Sequence, residues 1–342
     1  MKDIRDYSLL AHNTFGIDAK CKRFLEYSSV EEAQQIVAGL TAADQPLLIL
    51  GGGSNLLLTG DYEGTVIHSA IKGIEVLDNE KLHSSDSVFL SCGSGEVFDD
   101  VVAYAVEHGY HGAENLSIIP GEVGASAVQN IGAYGVEAKD IIYKVEAVEI
   151  ATGKVVVFDN QDCQYSYRQS RFKHEWKDKY LVTHVIYCLS KHFVPDLDYG
   201  NIRTSLAAKK IGNPTAQQLR DVIIEIRNAK LPDPKVQGNA GSFFMNPIVQ
   251  KAKYEELAAL YPGMPHYTID AEHEKIPAGW MIDQCGWKGQ SLGRAGVHDK
   301  QALVLVNRGG ATGEEIVNLC ETIRKDVKQK FGIDIHPEVN LR

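Results

Sequence analysis

The amino-acid sequence predicts a protein of mixed helices and strands that contains two or three domains. The chain has 342 residues, of which 44% are hydrophobic and 23% are charged, as in globular proteins with buried cores. Capped amphipathic helices and short apolar strands both recur along its length. No internal repeat or low-complexity tract indicates a repeat architecture.

Charge and cysteine content narrow the possible functions. With 35 Lys and Arg residues against 45 Asp and Glu, the formal charge is -10, which argues against broad binding to nucleic acid or anionic membranes. The N-terminal residues lack a signal-peptide core and no later run is long enough to span a membrane, so a cytoplasmic location is expected. The six cysteines are scattered without CxxC spacing, so they are expected to be reduced, and no metal site is predicted.

Local patterns predict most elements of the first 190 residues. Ser29 and Glu32 have capping-box spacing and predict a helix that continues to about Leu40. Apolar runs predict strands and a hairpin, and a segment ended by glycine predicts a second helix. These elements are strands Pro46–Leu50, Thr65–Ser69 and Ser87–Cys92, helix Glu96–Gly109, the hairpin of Val145–Ile150 with Val155–Phe158, and strand Tyr180–Leu189.

Two glycine-rich segments are candidate ligand sites. The first, Gly51–Asn55, directly follows the Pro46–Leu50 strand, and a strand that ends in glycines and hydroxyl groups can hold a diphosphate. It lacks the GxGxxG pattern, and GxxxxGK occurs nowhere, so a Rossmann or P-loop site is not predicted. The second, Pro120–Gly135, is rich in glycine and alanine and carries a single charge, which favours close approach to a cofactor. A glycine-rich surface turn is the alternative.

A third candidate is the run Tyr165–Lys173, which interleaves three cations with three aromatic residues. Such a run predicts a local anion-binding surface on an otherwise acidic chain. A solvated basic loop is the alternative.

The C-terminal part begins with a second capping box, formed by Thr215 and Gln218. The helix that follows it indicates a domain boundary near residue 215.

Ser242 taken alone is interpreted as a turn hydroxyl, because the hydrolase motif GxSxG would need a glycine at the position of Phe244. The remaining predicted elements are helix Tyr254–Tyr261, the apolar segment Ala278–Cys285, strand Ala302–Val306, and a helix capped by Thr312 and Glu315 that ends at Gly332.

Taken in order, several segments resemble the UDP-N-acetylenolpyruvoylglucosamine reductase family, flavoenzymes that make UDP-N-acetylmuramate for bacterial peptidoglycan. The pairing of YRQSRFK with Tyr199 is similar to the longer, type I form. The matching segments are NTFGI at Asn13–Ile17, GGGSNLL at Gly51–Leu57, Pro120–Gly135, YRQSRFK at Tyr167–Lys173, KLPDPKV at Lys230–Val236, GNAGSFFMNP at Gly238–Pro247, AGWMIDQCGWKG at Ala278–Gly289, and HPEV at His336–Val339.

The resemblance implies an α+β fold, with a two-lobed FAD-binding region of the vanillyl-alcohol-oxidase and cresol-methylhydroxylase (VAO/PCMH) type followed by a smaller α+β substrate-binding domain. The implied boundaries are residues 1–70 for the first lobe, 71–214 for the second, and 215–331 for the substrate domain, with the tail 332–342 returning to the active-site cleft. FAD is expected to be held non-covalently. The implied FAD-binding residues are Gly51, Gly52, Gly53, Ser54, Asn55, Ile119, Pro120, Gly124, Ser126, Asn130, Ile131, Gly132 and Arg227.

The resemblance also implies a ping-pong reaction in which NADPH reduces FAD and then gives way to the enolpyruvyl substrate. Ser242 matches the family's proton donor, which reverses its interpretation as a turn hydroxyl. Arg168 matches the arginine that binds the substrate carboxylate, a task suited to a forked, permanently charged donor. Glu338 matches the glutamate at the same carboxylate, and we predict that it is protonated there, since burial and a neighbouring negative charge raise a carboxyl pKa.

For the UDP-sugar, the resemblance implies contacts from Tyr199, Lys230, Asn246, Lys288 and Gln301, and it places Tyr134 close to the reacting end of the substrate. The sequence departs from the family at Met245, where lysine is frequent, and at Ala125 and Ala127, where serine and proline are common. The first departure removes a cation near the substrate groove. A small-molecule substrate and a monomeric protein are expected. The alternative function is another FAD-dependent oxidoreductase of the same superfamily.

Overall fold

The computed structural model describes residues 1–77 and 85–342. The chain divides into two compact units. Unit 1 comprises Met1–Tyr7, Cys21–Gly52 and Glu63–Arg227, and unit 2 comprises Ser8–Lys20, Gly53–Tyr62 and Asn228–Arg342. None of the helices in the described ranges combines the length and the apolar character needed to cross a bilayer.

The described residues form helices and strands along both units. The helices are α1 (Val30–Gly39), α2 (Phe98–Glu107), α3 (Val123–Gln129), α4 (Ile202–Ala208), α5 (Ala216–Lys230), α6 (Lys251–Leu260), α7 (Ala278–Gln284) and α8 (Gly313–Phe331). The strands are β1 (Lys2–Ser8), β2 (Lys20–Tyr27), β3 (Leu47–Leu50), β4 (Leu56–Leu57), β5 (Tyr62–Ser69), β6 (Ile74–Val76), β7 (Ser87–Gly93), β8 (Gly132–Ala133), β9 (Val136–Glu137), β10 (Ile142–Glu149), β11 (Val155–Asp159), β12 (Tyr180–Ser190), β13 (Ile248–Gln250), β14 (Tyr267–Thr268), β15 (His273–Lys275), β16 (Ser291–Leu292), β17 (Ala295–Val297), β18 (Leu305–Asn307) and β19 (Asn340–Leu341).

Besides the short β8-β9 pair, the described part of unit 1 contains two larger sheets. One has the strand order β1-β2-β5-β3, with β3 parallel to β5, and the other has the order β11-β10-β12-β7-β6 with antiparallel pairs. Helices α2 and α3 pack on the second sheet through a core that includes Phe98 and Tyr187, both almost fully buried. Strand β3 is an edge strand that pairs with β5 along its whole length, so the residues that follow Leu50 emerge at a fixed place.

Helix α5 begins at the predicted capping box. The Thr215 hydroxyl accepts from the Gln218 amide (3.2 Å), and the Gln218 side chain accepts from the Thr215 amide (2.9 Å). The predicted apolar face is buried against Ile202 and Leu206 of α4. Most of α5 therefore belongs to unit 1, whereas the sequence predicts a domain that starts near residue 215. The three-domain division stays a prediction.

Unit 2 contains three small sheets, with orders β13-β15-β14, β16-β17-β18 and β19-β4. Its longest helix is α8, whose Thr312 and Glu315 form the predicted capping box and whose Gly332 ends it in the left-handed conformation (φ 68°). In the last sheet the C-terminal strand β19 runs parallel to β4, so the tail returns to the segment that follows Gly53.

The helices predicted from capping signals and the long strands are confirmed, with ends shifted by a few residues. Other features differ from the predictions, and helix α4 and several short strands such as β6 and β13 were not predicted. Strand β18 is shorter than Ala302–Val306, the Pro120–Gly135 segment contains helix α3, and strands β1 and β2 were not predicted. All six cysteines are free, and four of them, Cys21, Cys92, Cys163 and Cys320, are buried.

Replacing Gly313 at the start of α8 by alanine is expected to destabilise unit 2. An added Cβ would lie 1.8 Å from the carbonyl oxygen of Leu58, so backbone would have to move. Overpacking costs about 3 kcal/mol at the upper end of its usual range, which exceeds the roughly 1 kcal/mol that alanine gains over glycine in a helix. Chemical denaturation of Gly313→Ala and of the exposed neighbour Glu314→Ala measures this difference, and equal stabilities would contradict the expectation.

Candidate active site

The two predicted glycine-rich segments meet in unit 1. Strand β3 ends at Leu50, and the next two residues, Gly51 and Gly52, lie against the start of α3. A Cβ added to Gly51 would lie 3.1 Å from the Cβ of Ala125, and one added to Gly52 would lie 3.4 Å from the Cα of Gly121. Glycine at these positions therefore lets the two segments pack closely against each other.

The amides at the start of α3 are already hydrogen-bonded. The Val123 amide donates to the Glu96 carbonyl (2.9 Å) and the Gly124 amide donates to the Ser94 carbonyl (2.8 Å). A Cβ on Gly124 would lie 2.9 Å from the Cβ of Ser94, so this glycine serves close packing. These two amides are not available to hold a phosphate.

Ser126 and Asn130 also have partners within unit 1. The buried Ser126 hydroxyl lies 2.7 Å from the Val123 carbonyl and 2.8 Å from the Tyr187 hydroxyl. Asn130 ends α3 with φ 46°, and its amide nitrogen donates to the Ser166 carbonyl (2.8 Å). Both side chains fix the shape of the segment. Ile131 follows Asn130 and its amide donates to the Ser126 carbonyl (3.3 Å).

Arg168 lies at the tip of a tight turn in which Ser166 and Gln169 pair with each other. Its Nη2 donates to the Gly132 carbonyl (2.7 Å), and its Nη1 lies 3.0 Å from the position of a Cβ on Gly132, so glycine is needed there. Arg168 has φ 56°, a left-handed conformation that costs energy for a residue with a side chain. Strained backbone of this kind is typical of functional positions.

The other two cations of the Tyr165–Lys173 run have structural partners. Arg171 pairs with Glu175 and lies 4.3 Å from the Trp176 ring centroid. Lys173 donates to the Gln129 side chain (3.0 Å) and to the Arg168 carbonyl (2.9 Å). The anion-binding surface predicted from this run is thus reduced to Arg168, because Lys173 and Arg171 hold the loop together.

Arg227, near the end of α5, lies beside the residues that precede the Pro120–Gly135 segment. Its Nη2 donates to the Ile118 carbonyl (3.5 Å). The next two residues in the chain are Ile119, which is half-buried, and Pro120, which is exposed. Its Nε is buried and has no hydrogen-bond partner among the described residues. Burial lowers the pKa of Arg227.

Tyr134 and Tyr199 form an aromatic pair in unit 1. Their ring centroids lie 6.4 Å apart in an edge-to-face arrangement. Burial raises the pKa of Tyr134, whose carbonyl accepts from the Asn115 side chain (2.9 Å). Tyr199 is 50% exposed, so its ring presents surface to a ligand.

In unit 2, the chain continues through Gly53, Ser54 and Asn55. Gly53 has φ 63°, and a Cβ there would lie 2.0 Å from the His12 carbonyl oxygen. The Asn55 side chain donates to the Glu338 carbonyl (3.4 Å), and the Asn55 carbonyl accepts from the Asn340 amide (3.1 Å). These bonds hold the tail next to Asn55.

Ser242 and Glu338 lie on neighbouring backbone segments of unit 2. The Glu338 amide donates to the Phe243 carbonyl (2.8 Å), and the Met245 amide donates to the His336 carbonyl (2.9 Å). Ser242 is exposed and Glu338 is half-buried. Two residues 96 positions apart in sequence are therefore brought together, whereas Arg168 belongs to unit 1.

Asn239, which sequence reasoning missed, positions the Ser242 loop. It is 2% exposed, its carbonyl accepts from the Thr14 hydroxyl (2.6 Å), and its side-chain oxygen accepts from the Gly241 amide (2.9 Å). Its side-chain nitrogen donates to the carbonyls of Pro232 and Gln237. Asn239 thus joins three of the matched motifs, and its place inside GNAGSFFMNP was the available signal.

Three predicted substrate residues surround α7 in unit 2. The Asn246 side chain accepts from the Ala278 amide (2.9 Å), and the Gln301 Oε1 lies 3.1 Å from the position of a Cβ on Gly279. Lys288 lies 3.5 Å from Asp283. Lys230 is exposed at the C-terminal end of α5.

The residues of unit 1 fit an FAD molecule. Gly51, Gly52 and Ala125 are half-buried, and no side chain of these three residues extends beyond a methyl group, so a bulky group can approach the main chain. The buried Arg227 Nε, for which residues 1–77 and 85–342 provide no hydrogen-bond partner, can donate to a phosphate or carbonyl oxygen.

Comparisons with known proteins give two family matches and a full-length structural match. Residues 22–159 match an FAD binding domain, and residues 233–342 match the UDP-N-acetylenolpyruvoylglucosamine reductase C-terminal domain. The UDP-N-acetylenolpyruvoylglucosamine reductases of Bacteroides fragilis and Porphyromonas gingivalis are 57% and 47% identical, each covering 98% of both chains. The crystal structure of the Thermus caldophilus enzyme of the same kind has a TM-score of 0.66 at 20% identity and covers 99% of this chain and 98% of that chain, which supports the fold.

Proposed function

The chain belongs to the UDP-N-acetylenolpyruvoylglucosamine reductase family, and on this premise we propose that it reduces the enolpyruvyl group of UDP-N-acetylenolpyruvoylglucosamine to give UDP-N-acetylmuramate. It is an FAD-dependent oxidoreductase, and the predicted α+β fold with an FAD-binding region is confirmed. NADPH is the proposed reductant, and peptidoglycan precursor synthesis in the cytoplasm is the proposed context. The proposal rests on two features: the full-length similarity and the Ser242–Glu338 arrangement.

The reaction adds a hydride and a proton across a carbon–carbon double bond next to a carboxylate. Bound FAD supplies a carrier that takes two electrons and a proton from NADPH and passes them to the alkene as a hydride. In the proposed ping-pong order, NADPH leaves before the enolpyruvyl substrate enters. The protein has to bind the substrate carboxylate, stabilise enolate-like charge and deliver the proton.

Ser242 is the proposed proton donor. Its loop is fixed by Asn239 on one side and by the Phe243–Glu338 backbone pair on the other, so the backbone that carries its exposed hydroxyl is held in place. A serine hydroxyl is a weak acid in water and needs neighbours that stabilise the alkoxide it leaves. Its proximity to Glu338 supports this role.

Arg168 is the proposed carboxylate ligand. Its guanidinium is held by the Gly132 and Asn130 carbonyls, which fixes its orientation without neutralising its charge. A fixed cation of this kind stabilises the negative charge that develops on the substrate carboxylate. Glu338, in its protonated form, is proposed to donate to the same group.

The UDP-sugar is proposed to contact Tyr199, Lys230, Asn246, Lys288 and Gln301, and Tyr134 is proposed to lie close to the reacting end of the substrate. The two lysines supply local positive charge on a chain whose net charge is -10. Met245 is 36% exposed and contributes no cation to this set.

Absorbance of the purified protein tests the proposal directly. NADPH added without oxygen is expected to bleach the flavin band, and UDP-N-acetylenolpyruvoylglucosamine is expected to restore it. A protein that NADPH bleaches but this substrate does not reoxidise would favour the other candidate, an FAD-dependent oxidoreductase with a different substrate. A colourless protein that FAD cannot reconstitute would contradict both.

A further inference from the structure

A cluster of charged side chains lies next to the Gly51–Gly52 backbone in unit 1. His68 sits at the end of β5, directly opposite Leu50 in the parallel pair with β3. Its Nδ1 lies 3.1 Å from the Glu26 carboxylate and its Nε2 lies 3.2 Å from the Glu122 Oε1. Glu26 also pairs with Lys2 (2.7 Å).

Two carboxylates on one imidazole favour its charged form. Burial lowers the pKa of His68, but the hydrogen bonds and charges of Glu122 and Glu26 outweigh burial, and the net effect raises the pKa. The imidazolium and Lys2 together balance the two carboxylates. The cluster can therefore hold Glu122 in place without adding net charge.

The second oxygen of Glu122 has no assigned role. Oε2 is buried and has no hydrogen-bond partner among residues 1–77 and 85–342. It lies 3.5 Å from the position of a Cβ on Gly51, and the Glu122 Cγ lies 3.6 Å from that of Gly52. The carboxylate thus runs along the backbone against which FAD is proposed to bind. A buried acceptor without a partner is costly, so a ligand donor at this place would stabilise it.

We propose that Glu122 accepts a hydrogen bond from a hydroxyl group of bound FAD, with His68 as its positioning partner. This inference rests on the proposed placement of FAD at Gly51 and Gly52. A carboxylate only accepts hydrogen bonds, so it cannot pair with the diphosphate oxygens, but sugar-type hydroxyls flank the diphosphate of FAD on both sides. The His68 charge offsets the repulsion between Glu122 and the diphosphate.

Release of FAD from the holoprotein tests this assignment. After dilution, the rise in flavin fluorescence is expected to be about tenfold faster for Glu122→Ala than for wild type, as expected for loss of a charged hydrogen bond. Glu122→Gln keeps polar atoms in the same place, so its rate of FAD release is expected to lie between those of wild type and Glu122→Ala. The matched control Glu107→Gln, an exposed carboxylate at the end of α2, should release FAD at the wild-type rate.

A second readout separates cofactor binding from a structural role. If Glu122 binds FAD, added FAD raises the unfolding temperature of Glu122→Ala less than that of wild type. The proposal is overturned if Glu122→Ala lowers stability but keeps the wild-type rise with FAD, or if its release rate is unchanged. A wild-type protein that holds no FAD would instead contradict the proposed function.

Discussion

Ser242→Ala is expected to leave reduction of the flavin by NADPH largely unchanged and to slow reoxidation by substrate by about 10²- to 10⁴-fold, the usual contribution of a positioned general acid. The reason is that the serine hydroxyl has a proposed role only in the second half-reaction. The substitution removes one oxygen from an exposed side chain, while the backbone bond between Glu338 and Phe243 does not depend on it.

Stopped-flow absorbance measures the two half-reactions of Ser242→Ala separately. Ser291→Ala, an exposed serine of β16 in the same unit, is the matched control and should behave as wild type in both. An equal loss of rate in both half-reactions would contradict the proton-donor role, because it would indicate disturbed flavin binding instead.

Fold prediction from sequence succeeded where the deciding interaction is local. The caps at Ser29, Thr215 and Thr312 depend on residues three positions apart, and all three begin helices in the structure. Strand β2 was missed because charged residues interrupt its apolar ones. The adjacent Phe24 and Leu25 point to opposite faces of the strand and are both buried, which no simple alternation predicts.

Helix α3 illustrates a tertiary override of local preference. Gly124 disfavours a helix by roughly 1 kcal/mol relative to alanine, which made a loop the natural interpretation. The structure requires glycine there because the Ser94 backbone and side chain approach closely. Close packing, which no local pattern reveals, thus selects both the glycine and the helix.

For the site, the sequence could predict motifs but not their partners. Ser242, Arg168 and Glu338 were inferred from short matching segments, and their roles stay predictions. The contact between Thr14 and Asn239 joins residues 225 positions apart, and the one between His68 and Glu122 joins residues 54 apart. The sequence also could not show that two cations of the Tyr165–Lys173 run have partners within the protein. Arg171 pairs with Glu175, and Lys173 donates to Gln129.

Glu338→Gln is expected to retain activity within about tenfold of wild type, whereas Glu338→Ala should lose about 10²- to 10³-fold, the usual loss for one donor to developing negative charge. A glutamine amide can donate to the substrate carboxylate as a protonated glutamate does, but an ionised glutamate would repel it. The two variants share the wild-type backbone bond to Phe243, so they differ only in the side-chain donor.

The pH dependence of kcat/KM provides the decisive comparison for Glu338. If the protonated carboxyl is the active form, the wild-type value falls as rising pH removes that proton, and Glu338→Gln lacks this fall because its amide does not titrate. Thermal unfolding and flavin absorbance of the Gln variant provide the control for folding and cofactor content. A folded, flavin-loaded Gln variant without activity would rule out a role limited to neutral hydrogen-bond donation, because a glutamine amide donates hydrogen bonds but cannot exchange a proton.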